Sequence, residues 1–194
     1  MIAVGIDPSL TVSGCASVQW DDDGDPWWQS WRGRAEQPAV ENAETNRRRI
    51  RVMLREILAL VPDYVDLSVV EGPAMGAKYT PLADERAGLR WMLIDQLLAR
   101  GPVVLVTPST RQALACSVPI PRGTKPAERK RTVLQAVRAM VPGAHVPDHN
   151  VADAVALAAA GAHRLGLRMP YTDRQNKAHA KVAWPVGGLA SAVA

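Results

Sequence analysis

Phenylalanine is absent from the 194 residues and cysteine occurs twice, and no apolar run approaches the roughly 18 residues that a membrane span requires. Each absence excludes something. Cys15 and Cys116 lie far apart, without CxxC or Cys/His clustering, which argues against a disulfide framework and a structural zinc site and leaves both as small core residues. The opening MIAVGID reads as a strand and lacks the charged, then apolar, then small-residue order of a secretion signal. A cytoplasmic protein without membrane contact is therefore expected. There is no internal repeat and no interdomain linker. The length suits one ordinary domain, expected over 1–168, and periodicity fades beyond Pro170. Residues 169–194 then read as a flexible tail with scattered Arg174, Lys177 and Lys181.

The formal charge of +4 and pI near 9.4 are a weak hint of a polyanionic partner, and the distribution says more. Acids collect at Asp21, Asp22, Asp23 and Asp25. Basic residues collect at Arg47, Arg48, Arg49 and Arg51, and again at Lys125, Arg129, Lys130 and Arg131. Such runs are ordinarily solvated helix faces and become phosphate-binding surfaces only when they flank a site.

Apolar patterning orders the chain as an α/β domain. Short strands are expected at Ile2–Ile6, at about Val12–Trp20 and at Trp27–Gly33, with a turn at Asp21–Pro26 between the last two. An amphipathic helix follows from Glu41, its stripe carried by Ile50, Met53, Leu54, Ile57, Leu58 and Val61, and Pro62 stops it. Asp66–Glu71 is a strand ended by Gly72-Pro73. Then come a helix over Leu82–Ala99, with Leu89, Met92, Leu93 and Leu97 inward, and a strand over Val103–Thr107. Helices after Pro108, from Pro126 to Met140, and from about Asp148 to Leu165 complete the domain. The four tryptophans Trp20, Trp27, Trp28 and Trp31 fall on the meander as core or edge packing. The expected sheet is five-stranded and mixed: an antiparallel meander continued by parallel crossovers and flanked by helices.

Three acids stand out by position. Asp7 and Glu71 each end an apolar strand, in Val4-Gly5-Ile6-Asp7-Pro8 and Val69-Val70-Glu71-Gly72-Pro73. Singly, each reads more readily as a turn or capping carboxylate. If the first and fourth strands are parallel neighbours, both acids emerge at the sheet edge where open α/β sheets place their sites. Asp153 lies on the last helix in Asp148-His149-Asn150-Val151-Ala152-Asp153, sharing a face with Asn150, while Asp148 suits the N-cap. Carboxylates converging from separate elements repel unless a cation lies between them, and oxygen donors suit Mg²⁺ or Mn²⁺ rather than zinc. Two ions about 3.5–4 Å apart would activate a water and stabilise a leaving oxygen in phosphodiester hydrolysis.

In identity and order, the stretch Gly5-Ile6-Asp7-Pro8-Ser9-Leu10 with Ser13-Gly14, then Val70-Glu71, then Pro108 and Arg111, then the Lys/Glu-bearing start of the Pro126 helix, and lastly Ala152-Asp153-Ala154-Val155-Ala156-Leu157-Ala158 resemble RuvC Holliday junction resolvases. The likeness spans about residues 2 to 166. It implies an RNase H-like fold, a homodimer, and Mg²⁺-dependent symmetric nicking of four-way DNA junctions to 5′-phosphate and 3′-hydroxyl ends, with Mn²⁺ able to substitute. Asp7, Glu71 and Asp153 are then the metal ligands, two ions to a site. Lys130 matches a family lysine near the scissile phosphate, with Arg129 as a register-shifted competitor. Lys78, Arg111, Arg122 and Lys125 are expected to bind phosphates around the same opening.

Two departures carry consequences. Asn150 stands where the family pattern has a fourth acid and some relatives have His; it can offer a carbonyl oxygen but no charge, so metal binding is expected to weaken. After Glu71, where the family places a base-contacting aromatic, this chain offers only Met75 or Tyr79 as a wedge or stacking surface. Loss of cleavage-sequence preference is the expected result. Rival readings are a fork- or flap-directed nuclease of the same fold, a catalytically weakened junction-binding protein, and an actin-like ATP-binding protein. Pro8-Ser9-Leu10 in place of a glycine phosphate loop counts against the last, as does the length. The Leu82–Ala99 helix, through Leu89, Trp91 and Met92, is the candidate dimer surface.

Overall fold

The computed structural model describes residues 1–21, 25–73 and 82–185. Its strands are β1 (Ile2–Asp7), β2 (Val12–Gln19), β3 (Trp27–Arg34), β4 (Leu67–Glu71) and β5 (Val103–Val106), in the sheet order β3-β2-β1-β4-β5. β1, β2 and β3 pair antiparallel, whereas β4 runs parallel to both β1 and β5. The expected five-stranded mixed sheet is thus present, with the first and fourth strands as parallel neighbours.

Strand alternation assigns the two faces of the sheet. Val4 and Ile6 of β1, Cys15 of β2 and Val70 of β4 face one layer, which is closed by Met53 and Ile57 of α1 (Ala43–Leu58) and Leu89, Leu93 and Leu97 of α2 (Ala83–Leu98). Ala3, Ala16, Val18, Leu67 and Val69 face the other. That face is covered by α5 (His149–Arg164), supported by α3 (Pro108–Ala115), α4 (Pro126–Met140) and α6 (Asp173–His179). Asp148 caps α5, its side chain accepting the Val151 N–H at 3.0 Å, as its sequence position implied.

Every residue of α5 from Val151 to Ala162 is buried, because the helix lies between the sheet and the α3/α4 layer. An amphipathic stripe would not serve in that position, and the run of alanines supplies a helix small enough on all sides. Two glycines let it approach. A Cβ on Gly5 would collide with the backbone of Ala154 and Ala158, and one on Gly14 with the carbonyl of Asn150. Cys15 and Cys116 are free and buried, as expected of small core residues.

Four expectations need correction. Met92 is 42% exposed rather than inward, because Ile94 takes the core position beside Leu93. Leu89 is fully packed and so offers nothing to a dimer surface, while Trp91 is exposed. Arg49 is buried, not solvated: its Nε–H donates to the Leu10 carbonyl at 2.8 Å and its Nη2 to Thr11 Oγ1 at 2.8 Å, pinning the turn after β1. The segment read as a frayed tail contains α6, which opens on a capping box between Thr172 and Gln175 and docks on α3. Gln175 is buried there and donates to the Leu114 carbonyl at 2.8 Å. Of the meander tryptophans, Trp20 is core and Trp27 is exposed. Among the described residues no helix is long and apolar enough to cross a membrane.

Candidate active site

Asp7 shares the side-chain parity of Ala3 and Gly5 on β1, and Glu71 that of Leu67 and Val69 on β4. Both acids therefore project from adjacent parallel strands toward the face that α5 covers, at the carboxyl ends where Ile6 pairs with Val70. α5 delivers Asp153 to the same place from its second turn. The three acids come from regions far apart in sequence and meet at one edge, as their strand and helix contexts predicted.

Arg111, one turn into α3, lies between two of them. Its Nε–H donates to Glu71 Oε1 at 2.9 Å and its Nη1 donates to Asp153 Oδ1. All three side chains are only 13–16% exposed, so the pairing is poorly screened. The α3 backbone is set by Thr107, whose hydroxyl accepts the Thr110 N–H at 3.2 Å, and by Pro108 at the first helical position. This contact was missed in the sequence, where Arg111 figured only as a phosphate-binding residue. Its position one turn beyond the end of the strand paired with Glu71 was the available signal.

Burial dominates the proton affinities. Asp7 is raised well above the usual carboxylate range by desolvation, then by the nearby Glu71 charge and Asp153, with Arg111 opposing. Asp153 is pushed up to about 7, chiefly by burial, against the lowering influence of Arg111 and with Glu71 adding to the rise. For Arg111 burial alone would lower the value, but Asp153, Glu71 and Asp7 outweigh it and raise it. Three acids thus crowd one inserted cation, and two of them hold their protons far more tightly than an exposed carboxyl does.

The remaining expected residues divide. Lys130 Nζ is 3.0 Å from His149 Nε2, and its charge reaches Asp153. Burial and then Lys130 lower the His149 pKa, so the neutral imidazole accepts from the ammonium. Arg129 instead donates to Gln112 Oε1 at 3.2 Å, tying α4 to α3. Asp148 is occupied by its cap and by Arg32 at 2.9 Å and is no substitute ligand. Asn150 sits on the first turn of α5, its backbone carbonyl against Gly14. Arg122 and Lys125 are exposed just before α4. Met75, Lys78 and Tyr79 lie outside the described residues.

As placed, no three His, Cys, Asp or Glu side chains among the described residues could hold a metal ion. Arg111 takes up one carboxylate oxygen of Glu71 and one of Asp153. The donor set nonetheless fits a hard divalent cation: it is all oxygen, and oxygens of two of its acids already hold one positive group.

No family model and no curated protein matches the sequence. Solved structures do. Thermus thermophilus RuvC in complex with a Holliday junction substrate is similar at 20% identity and a TM-score of 0.58, covering 86% of this chain and 96% of that one. A second structure of Thermus thermophilus RuvC is similar at 23% identity and a TM-score of 0.54, covering 86% and 97%. Sheet order, strand directions and the helices on both faces agree with this likeness, and the chain has the RNase H-like fold of RuvC.

Proposed function

We propose that this protein is a structure-selective endodeoxyribonuclease that resolves four-way DNA junctions by metal-dependent nicking. The observation that carries the reading is the meeting of Asp7, Glu71 and Asp153, from two parallel strand ends and a buried helix, around a positive charge at one edge of a RuvC-like sheet. That RuvC structure holds a Holliday junction substrate, and its fold spans most of this chain.

In the proposed mechanism Asp7, Glu71 and Asp153 would hold two Mg²⁺ ions, with the side-chain carbonyl oxygen of Asn150 as a neutral supplement. When bound, such ions lower the pKa of an attacking water and stabilise the leaving 3′-oxygen. The chain's own groups do the rest. The strands and α5 fix the acids before substrate arrives, so little reorganisation is needed at reaction. Lys130, held by a neutral His149, presents its ammonium beside Asp153, where a scissile phosphate would lie. Arg129, Arg122 and Lys125 extend positive charge from there along the α4 side. The segment carrying Met75, Lys78 and Tyr79 follows Gly72-Pro73 in the sequence. A homodimer would place two such sites on symmetric strands of a junction.

Incubating the protein and Mg²⁺ with synthetic junctions, forks, flaps and RNA–DNA hybrids tests the reading. Paired symmetric nicks in the junction are expected, and preferential cutting of hybrids or flaps would replace junction resolution by a broader nuclease function. Asn150 favours a second reading, a junction-binding protein with weakened catalysis, since the residue cannot supply the charge of a fourth acid. Tight junction binding without nicking, at any Mg²⁺ concentration, would select it.

A further inference from the structure

We infer that Arg111 is a mobile counter-ion of the metal-free site, which a divalent cation must displace from Glu71 and Asp153 in order to bind. The inference rests on the metal-site reading proposed above and goes beyond it in assigning a residue that competes with the metal.

The geometry gives Arg111 this role in three ways. Its Nε–H and Nη1 contact one oxygen of each of two acids from different elements, which is the bridging position a cation would take. Among the described residues no group of three His, Cys, Asp or Glu side chains is arranged to hold an ion, and the guanidinium lies between two of the acids. The donors take one oxygen of each acid, so a cation bridging those oxygens would compete with the guanidinium for them. Finally, Arg111 stands on the first turn of α3 and reaches the acids through a long side chain with several rotatable bonds, so a rotamer change can withdraw the guanidinium without unfolding the helix. A purely structural ion pair would instead persist when metal is added, and that difference is measurable.

Two measurements on the full chain at pH about 8 decide it, both using Mg²⁺ alone as probe. In the wild-type protein, the Arg111 Nε–H resonance, identified by its loss in Arg111→Gln, should be protected from solvent exchange in EDTA and should lose that protection as Mg²⁺ is added. By calorimetry, Arg111→Gln should bind Mg²⁺ about tenfold more tightly than wild type, a coupling of ordinary strength between competing occupants. Mg²⁺ binding with an unmoved Arg111 resonance overturns the exchange while leaving the metal site intact, and so does equal or weaker binding by Arg111→Gln. Absence of Mg²⁺ binding by both chains removes the metal reading and this inference with it. Should Arg111→Gln fail to fold, double titration of wild type and Arg111→Lys by the same resonance settles the question, because a lysine lacks the Nε–H signal and identifies it equally.

Discussion

Asp153 faces opposed demands, since its helix buries it and its proposed chemistry needs it charged. A carboxyl raised from 3.8 to about 7 in the folded chain binds its proton more tightly folded than unfolded. That proton favours the folded state fully below 3.8, and the contribution is lost as pH rises toward and through 7. Asp7 acts in the same direction. In EDTA, the melting temperature should therefore carry a downward contribution between about pH 5 and pH 8, and Asp153→Asn should flatten it; an unchanged slope would refute the buried-acid account. The same charge supports activity. Asp7→Asn should reduce Mg²⁺-dependent nicking by more than about 100-fold, beyond what loss of a group supporting a ligand ordinarily costs. Asn150→Asp should raise nicking at limiting Mg²⁺ if the missing charge is what weakens the site, and a binder without catalytic machinery would stay silent.

At the scale of elements, α5 positions the site through its closeness to β1 and β2. Gly5→Ala would force a methyl group into the backbone at Ala154 and Ala158, lifting the helix that carries Asp153. Overpacking of this kind costs about 3 kcal/mol, read as a lower urea midpoint, with nicking lost more steeply than stability. A neutral outcome would mean that the helix can shift freely. The strand-end acids were legible because Pro8 and Gly72-Pro73 stop the strands just beyond them, and Asp153 because the cap at Asp148 sets the phase of its helix. Arg111 was not legible as a partner of Glu71 and Asp153, since that contact depends on how α3 is turned against β5 and α5. Arg49 resembled its solvated neighbours in type, but it lies four residues before Met53 and eight before Ile57, and that shared face was the local signal for the one arginine of the run which turns inward. The seven-residue α6 is too short to show a period and rests on a buried Gln175 instead of an apolar stripe.

For the molecule as a whole, α2 leaves Trp91 at 64%, Leu98 at 58% and Met92 at 42% exposure on the side away from the sheet. If copies pair through this face, Trp91→Glu should sediment as a monomer while its Mg²⁺ affinity stays unchanged; a dimer that persists would move the interface elsewhere. Junction affinity should fall steeply between low and physiological salt, since cations around the opening act by releasing counter-ions from the phosphates. The buried helix has a further consequence during synthesis. β1, β2, β3 and the layer closed by α1 and α2 leave the ribosome before α5, which has to dock onto a sheet face that has waited for it. Until then Asp7 and Glu71 have no third carboxylate beside them. If the proposed nuclease reading holds, cutting power arrives only once α5 has docked.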